Sequence, residues 1–177
     1  MKLVILDRDG TINHDSDDYI KSVAEWRPIP GSLEAIARLT QAGYRVAVAT
    51  NQSGIARGLF DTSTLIAIHD TLQRAAHQAG GRIDAFVFCP HAADAGCRCR
   101  KPQAGMLLEV ARRFNVSPAD AWMVGDAQRD LEAAAAAKAR PVLVLTGKGE
   151  ATRKEGRLPP GTQVFPDLAA FVASLAP

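Results

Sequence analysis

Leu3-Val4-Ile5-Leu6-Asp7-Arg8-Asp9-Gly10-Thr11 is the stretch on which the reading of this chain turns. Four apolar residues in a row, with no polar alternation, read as a strand buried on both faces. The run ends in two acids separated by one residue, and Gly10 lets the chain turn there. A buried strand that delivers carboxylates to its C-terminal end belongs to a parallel sheet, in which ligands bind outside the carboxyl ends of the strands.

The pattern continues outward from it. Residues 45–49 and 83–88 repeat the buried-strand signal, as do 122–124 and 141–145. Helical spacing fills the intervals. One helix opens at Gly31-Ser32 with Leu33, Ile36, Ala37 and Leu39 on one side, and Gly43 stops it. A second runs from the Asp61 cap to about Ala79. Others cover 105–114, 131–139 and 167–175. Residues 13–30 read as a loop and residues 146–162 as a mobile, basic loop. Lys148, Arg153, Lys154 and Arg157 form a basic stretch that could attract a phosphate, but they are expected to be solvated there. His69 and His77 are expected at the surface of the second helix, and Trp26 and Trp122 in packing roles. Strands alternating with helices predict an α/β fold with a doubly wound, mostly parallel sheet. At 177 residues it fits a single domain, 1–177, with one core.

Composition excludes several functions. The formal charge is +2 with both signs mixed along the chain, so there is no basic stripe for nucleic acid. No apolar run approaches the ~18 residues of a membrane span. Acids follow the first apolar run at once, which contradicts a secretory signal. A cytoplasmic monomer acting on a small molecule is the expectation.

Chemistry-bearing residues fall after each of the first four strands. One of the Asp7/Asp9 pair is suited to hold a cation and attack phosphorus, the other to give and take a proton. Thr50, with the backbone N–H groups of Asn51 and Gln52, is placed to hold phosphoryl oxygens. Lys101 is placed to neutralise phosphoryl charge. Asp126 completes an oxygen-rich Mg²⁺ site with Asp7. Asp130 is left to orient water or Lys101, or simply to complement the helix dipole.

All three cysteines lie in one loop, residues 89–99, as Cys89-x-His91-x5-Cys97-x-Cys99. Thiolates and imidazole suit tetrahedral Zn²⁺, and four protein ligands leave no open position, so this zinc is expected to be structural. It would pin the loop that ends at Arg100-Lys101.

Taken together, Asp7-Arg8-Asp9-Gly10-Thr11, Thr50, Lys101 and Gly125-Asp126 with Asp130 resemble the four motifs of the haloacid dehalogenase (HAD) superfamily over nearly the whole chain. The resemblance implies an aspartyl-phosphate on Asp7, Asp9 as general acid and base, and Mg²⁺ held by Asp7, Asp126 and the Asp9 carbonyl. The cysteine loop, the run Asn51-Gln52-Ser53-Gly54-Ile55-Ala56-Arg57-Gly58 and Arg100-Lys101-Pro102 narrow it. They resemble the D-glycero-D-manno-heptose 1,7-bisphosphate 7-phosphatase family, which serves lipopolysaccharide synthesis. That resemblance implies a phosphorylated sugar substrate touched by Asp15, Tyr19, Ser53 and Arg100. The histidinol-phosphatase sibling shares the same motifs, and the short spacing within the cysteine loop is closer to it. Ala127 stands where the compared relatives carry a basic residue. A catalytically dead binding module is the remaining alternative, opposed by the intact Asp7, Asp9, Lys101 and Asp126. About forty residues separate Thr11 from Thr50, which leaves no room for a large cap domain.

Overall fold

The computed structural model describes residues 1–175. Six strands form one parallel sheet: β1 (Lys2–Leu6), β2 (Tyr44–Asn51), β3 (Ala85–Cys89), β4 (Ala121–Gly125), β5 (Arg140–Val144) and β6 (Gln163–Phe165). Their order across the sheet is β3-β2-β1-β4-β5-β6. The first strand in sequence is therefore central, flanked by β2 and β4.

Side chains of β1 alternate between two cores. Val4 and Leu6 pack on one face with Ile36, Leu39, Ile68, Leu72 and Phe171. These come from α1 (Ser32–Gln41), α2 (Thr62–Gln78) and α6 (Leu168–Ser174). Leu3 and Ile5 pack on the other with Leu107, Val110, Ala133 and Ala134, from α3 (Gly105–Arg113) and α4 (Gln128–Ala137). A strand buried on both faces has no polar side to expose, which is why its sequence is continuously apolar. The small residues of α4 are the ones it turns inward: Ala133, Ala134 and Ala137 are all buried.

Three expectations fail. The stretch 146–162 is not a mobile loop, because residues Gly149–Glu155 form a helix, α5. Tertiary anchors explain it: Lys148 N–H donates to Asp126 Oδ2 at 2.7 Å and the Thr152 hydroxyl to Asp126 O at 2.9 Å. The strand Gln163–Phe165 escaped notice because it is short and mostly exposed, with no apolar run to mark it. His69 is not on the surface: it is 7% exposed, turned inward from α2 onto Phe86. His77 is exposed, and Trp26 is buried in the core, as expected. Among the described residues no helix is long and apolar enough to cross a membrane. Between β1 and α1 the chain holds loops and one short 3₁₀ turn, Val23–Glu25, and between β2 and β3 a single helix, so among the described residues no cap domain is inserted at either place.

Candidate active site

Asp7 follows β1 directly, and its N–H still donates to Val124 O of the neighbouring strand at 2.8 Å. The carboxylate is thereby fixed at the sheet's C-terminal edge. Gly10 turns the chain there with φ +83, and a Cβ on it would run into the Asp126 carboxylate. Only glycine permits that approach.

Lys101 is the hub of the site. It is 1% exposed, and its Nζ lies 2.8 Å from Asp7 Oδ1, 2.7 Å from Asp130 Oδ1 and 2.8 Å from Ala49 O. Two of its N–H groups donate, to Asp7 Oδ1 and Ala49 O, and the Asp130 carboxylate lies beside the charge as an ion pair. Burial opposes its charge, but Asp130 and Asp7 outweigh that and raise its pKa. Asp130 spends its other oxygen on the Ala127 N–H at 3.0 Å. Of the roles left open for Asp130, the geometry supports two, holding Lys101 and serving the N-terminus of α4.

Asp7, Asp126 and Asp130 offer carboxylate oxygens within 4.8 Å of one another. Burial, with Asp130 beside it and Lys101 opposing, raises Asp7 to about 6. Burial, Asp7 and Asp130 raise Asp126 to about 8. Asp126 Oδ1 is buried with no hydrogen-bond partner. Crowded acids and an orphaned buried oxygen fit a divalent cation between Asp7 and Asp126.

Asp9 is built differently. Burial favours its neutral form, yet the Arg8 guanidinium and donors from Asn13 and Gln52 outweigh this and lower its pKa. Arg8 grips both its oxygens, Nε to Oδ1 at 2.8 Å and Nη2 to Oδ2 at 3.1 Å.

The side chains expected around the substrate line one polar cavity of about 190 Å³ beside Asp9: Asp15, Tyr19, Asn51, Gln52, Ser53 and Arg100. Two of them are also committed elsewhere. Asn51 Nδ2 donates to Lys101 O and Asn51 Oδ1 accepts from Lys101 N–H, both at 3.0 Å. It latches the end of β2 to the lysine's own peptide. Gln52 N–H, expected to face phosphoryl oxygens, instead donates to Cys89 O at 2.8 Å. The Gln52 amide donates to Asp9 and to the Thr50 hydroxyl at 3.1 and 2.8 Å.

Two cations also line this cavity: Arg129, which was not among the residues expected there, and Lys148 of the basic loop. Lys148, expected in a solvated loop, stands 3.5 Å from Asp15. Arg129 Nε is buried without a partner. Its signal was its place in the first turn of α4, between Asp126 and Asp130 in sequence. A larger hollow of about 540 Å³ lies between α1 and α6, but Arg38 is the one charged residue lining it.

The four predicted zinc donors converge. Cys89 Sγ lies 3.6 Å from Cys97 Sγ and 3.2 Å from Cys99 Sγ, and His91 Nδ1 lies 3.4 and 3.2 Å from Cys89 and Cys99. Tetrahedral Zn²⁺ with Zn–S near 2.3 Å separates its sulfurs by about 3.8 Å, so this packing fits the ion. The backbone N–H of Arg100 lowers the Cys97 thiol to about 6, which readies a thiolate.

Comparison with known proteins agrees with this site. A family profile described as HAD-hydrolase-like matches residues 98–171. The D-glycero-beta-D-manno-heptose-1,7-bisphosphate 7-phosphatase of Bordetella bronchiseptica is 58% identical over 99% of this chain and 98% of its own. The protein of the same name from Pseudomonas putida is 54% identical over 99% of both chains. The crystal structure of the B. bronchiseptica D,D-heptose 1,7-bisphosphate phosphatase, complexed with magnesium and phosphate, superposes with a TM-score of 0.97 over 99% of this chain and 98% of that one. The Burkholderia thailandensis counterpart is 52% identical with a TM-score of 0.79, over 99% and 98% of the two chains. With β1 central, Asp7 at its end and relatives of this identity over their full length, the chain belongs to the D-glycero-D-manno-heptose 1,7-bisphosphate 7-phosphatase family of the HAD superfamily.

Proposed function

We propose that this chain, acting as one domain and as a cytoplasmic monomer, is a magnesium-dependent phosphatase. It removes the 7-phosphate of D-glycero-D-manno-heptose 1,7-bisphosphate and so serves lipopolysaccharide core precursor synthesis. The observation that carries the chemistry is the buried line Asp7–Lys101–Asp130 with Asp126 facing it. The relatives named above support the substrate, and their names specify the β-anomer. Histidinol phosphate is not favoured by them.

Asp7, Asp126 and the Asp9 carbonyl would hold Mg²⁺, which offsets phosphoryl charge when bound. Cys89, His91, Cys97 and Cys99 would hold a structural Zn²⁺. An Asp7 oxygen attacks phosphorus, the bond from phosphorus to the sugar oxygen breaks, and Asp9 gives its proton to that oxygen. Water then attacks the aspartyl-phosphate, Asp9 takes its proton, and Asp7 is released. Arg8 holds Asp9 ionised in the free site, whereas an arriving phosphate dianion favours the acid form needed for the first step. Lys101 and the Thr50 hydroxyl steady the phosphoryl oxygens. Asp15, Tyr19, Asn51, Gln52, Ser53 and Arg100 surround the sugar and its second phosphate. The short cysteine-loop spacing does not separate the two sibling substrates here.

The test compares kcat/KM for heptose 1,7-bisphosphate, fructose 1,6-bisphosphate and histidinol phosphate. A preference for histidinol phosphate would overturn the substrate but keep the mechanism. Unchanged turnover in Asp7→Asn would overturn the nucleophile. Sedimentation at about 19 kDa is the expected result for the monomer.

A further inference from the structure

We propose that His69 is a positioning residue for Asp9, acting through Arg8. The proposal rests on the reading of Asp9 as the proton donor.

Arg8 is a fully buried side chain, and its fork occupies both oxygens of Asp9. The remaining terminal nitrogen, Nη1, lies 3.2 Å from His69 Nε2. A guanidinium has donors only, so Nε2 must accept, and the ring proton must reside on Nδ1. Burial and the Arg8 charge hold the imidazole far below its ordinary pKa, at about 3, which keeps that lone pair available.

The ring itself is fixed by β3. It stacks on Phe86 with centroids 4.7 Å apart and planes 19° from parallel, and meets Phe88 edge-on at 6.4 Å. The guanidinium is planar and rigid, so anchoring its third corner restrains rotation of the other two. Asn13 Nδ2 and Gln52 Nε2 restrain Asp9 from its other side at 2.9 and 3.1 Å. The carboxyl that must meet the leaving oxygen is thus registered to α2 and β3, elements remote from the β1 turn that carries it. A ring that served packing alone would need no acceptor nitrogen; here Nε2 is the atom that matters.

His69→Phe keeps the stacked ring and removes the acceptor, whereas His69→Gln restores an acceptor oxygen. The parameter to follow is kcat/KM, which reports steps up to departure of the leaving group. A sugar alkoxide needs a proton to leave, but p-nitrophenolate does not. His69→Phe is therefore expected to lose about tenfold on heptose 1,7-bisphosphate with KM within about twofold, and less than about twofold on p-nitrophenyl phosphate. His69→Gln is expected to recover most of the loss. Equal losses on both substrates, or none on the sugar, would overturn the proposal. Asp9→Asn run in parallel separates the two readings. If Asp9→Asn shows no leaving-group dependence, the assignment of Asp9 fails and this proposal with it. If Asp9→Asn shows it and His69→Phe does not, the role of His69 alone fails. Should His69→Phe not fold, His69→Leu carries the same comparison.

Discussion

Asp7 and Asp126 are carboxylates that the fold itself discourages from ionising. Their ordinary value of 3.8 rises to about 6 and about 8. Groups raised in the folded state contribute stability below about pH 4, and that stability is lost as pH climbs through 6 and then 8. Protein dialysed free of magnesium, with no chelator used, should melt lower at pH 8 than at pH 5. Added Mg²⁺ should raise the melting temperature more at pH 8, because the ion competes with protons for both carboxylates. Thermal melts across that range check both signs. Asp130 is ionic support for Lys101, and breaking a buried pair costs about 3 kcal/mol. Asp130→Asn should accordingly lower Tm by roughly 6–12 °C and impair turnover. Arg129 Nε is buried without a hydrogen-bond partner, and the side chain faces the substrate cavity. Arg129→Met should cost about tenfold or more in kcat/KM for a bisphosphate, the scale of one charged hydrogen bond. Asp7, Lys101 and Asp126 were legible because each closes an element the sequence marks clearly. Arg129 and His69 were not, because a helical Arg and a helical His are ordinary surface residues until tertiary contacts turn them inward.

Elements, rather than single residues, set where Lys101 points. The cysteine loop holds it from one side and the Asn51 latch at the end of β2 from the other. Zinc removal, or Cys97→Ser, should lower kcat about tenfold to a hundredfold through misplacement of the lysine, and Zn²⁺ should restore the wild type but not the variant. Parallel assays of metal content and phosphate release would check this. Gly147, between β5 and α5, has φ +55, and a Cβ there would press on Asp126 Oδ2 and the Gly10 backbone. Gly147→Ala should weaken Mg²⁺ binding, read by titration, more than it weakens folding, read by melting. The cysteine loop could be found from spacing, since its donors are neighbours in sequence. The helix α5 could not: its length is short, and it depends on hydrogen bonds to Asp126, more than twenty residues earlier.

At the scale of the whole molecule, the alternation of apolar runs and amphipathic segments was enough to read the doubly wound sheet. Only the edge strand β6, with little to bury, was missed. The site is assembled at one rim from residues 7, 50, 101 and 126, each delivered near the end of a different strand or loop. That placement has a cost during synthesis. The strand that leads into Asp7 is made before both of its neighbours in the sheet, β2 on one side and β4 on the other. Until residue 125 has emerged, one backbone edge of a strand that is apolar from Leu3 to Leu6 is unpaired, the condition under which chains associate with each other. A nascent fragment ending before Ala121 should therefore aggregate or be held by a chaperone, whereas one reaching past Val144 should be protected from protease. Asp7 is made long before β4, the strand that closes its side of the sheet.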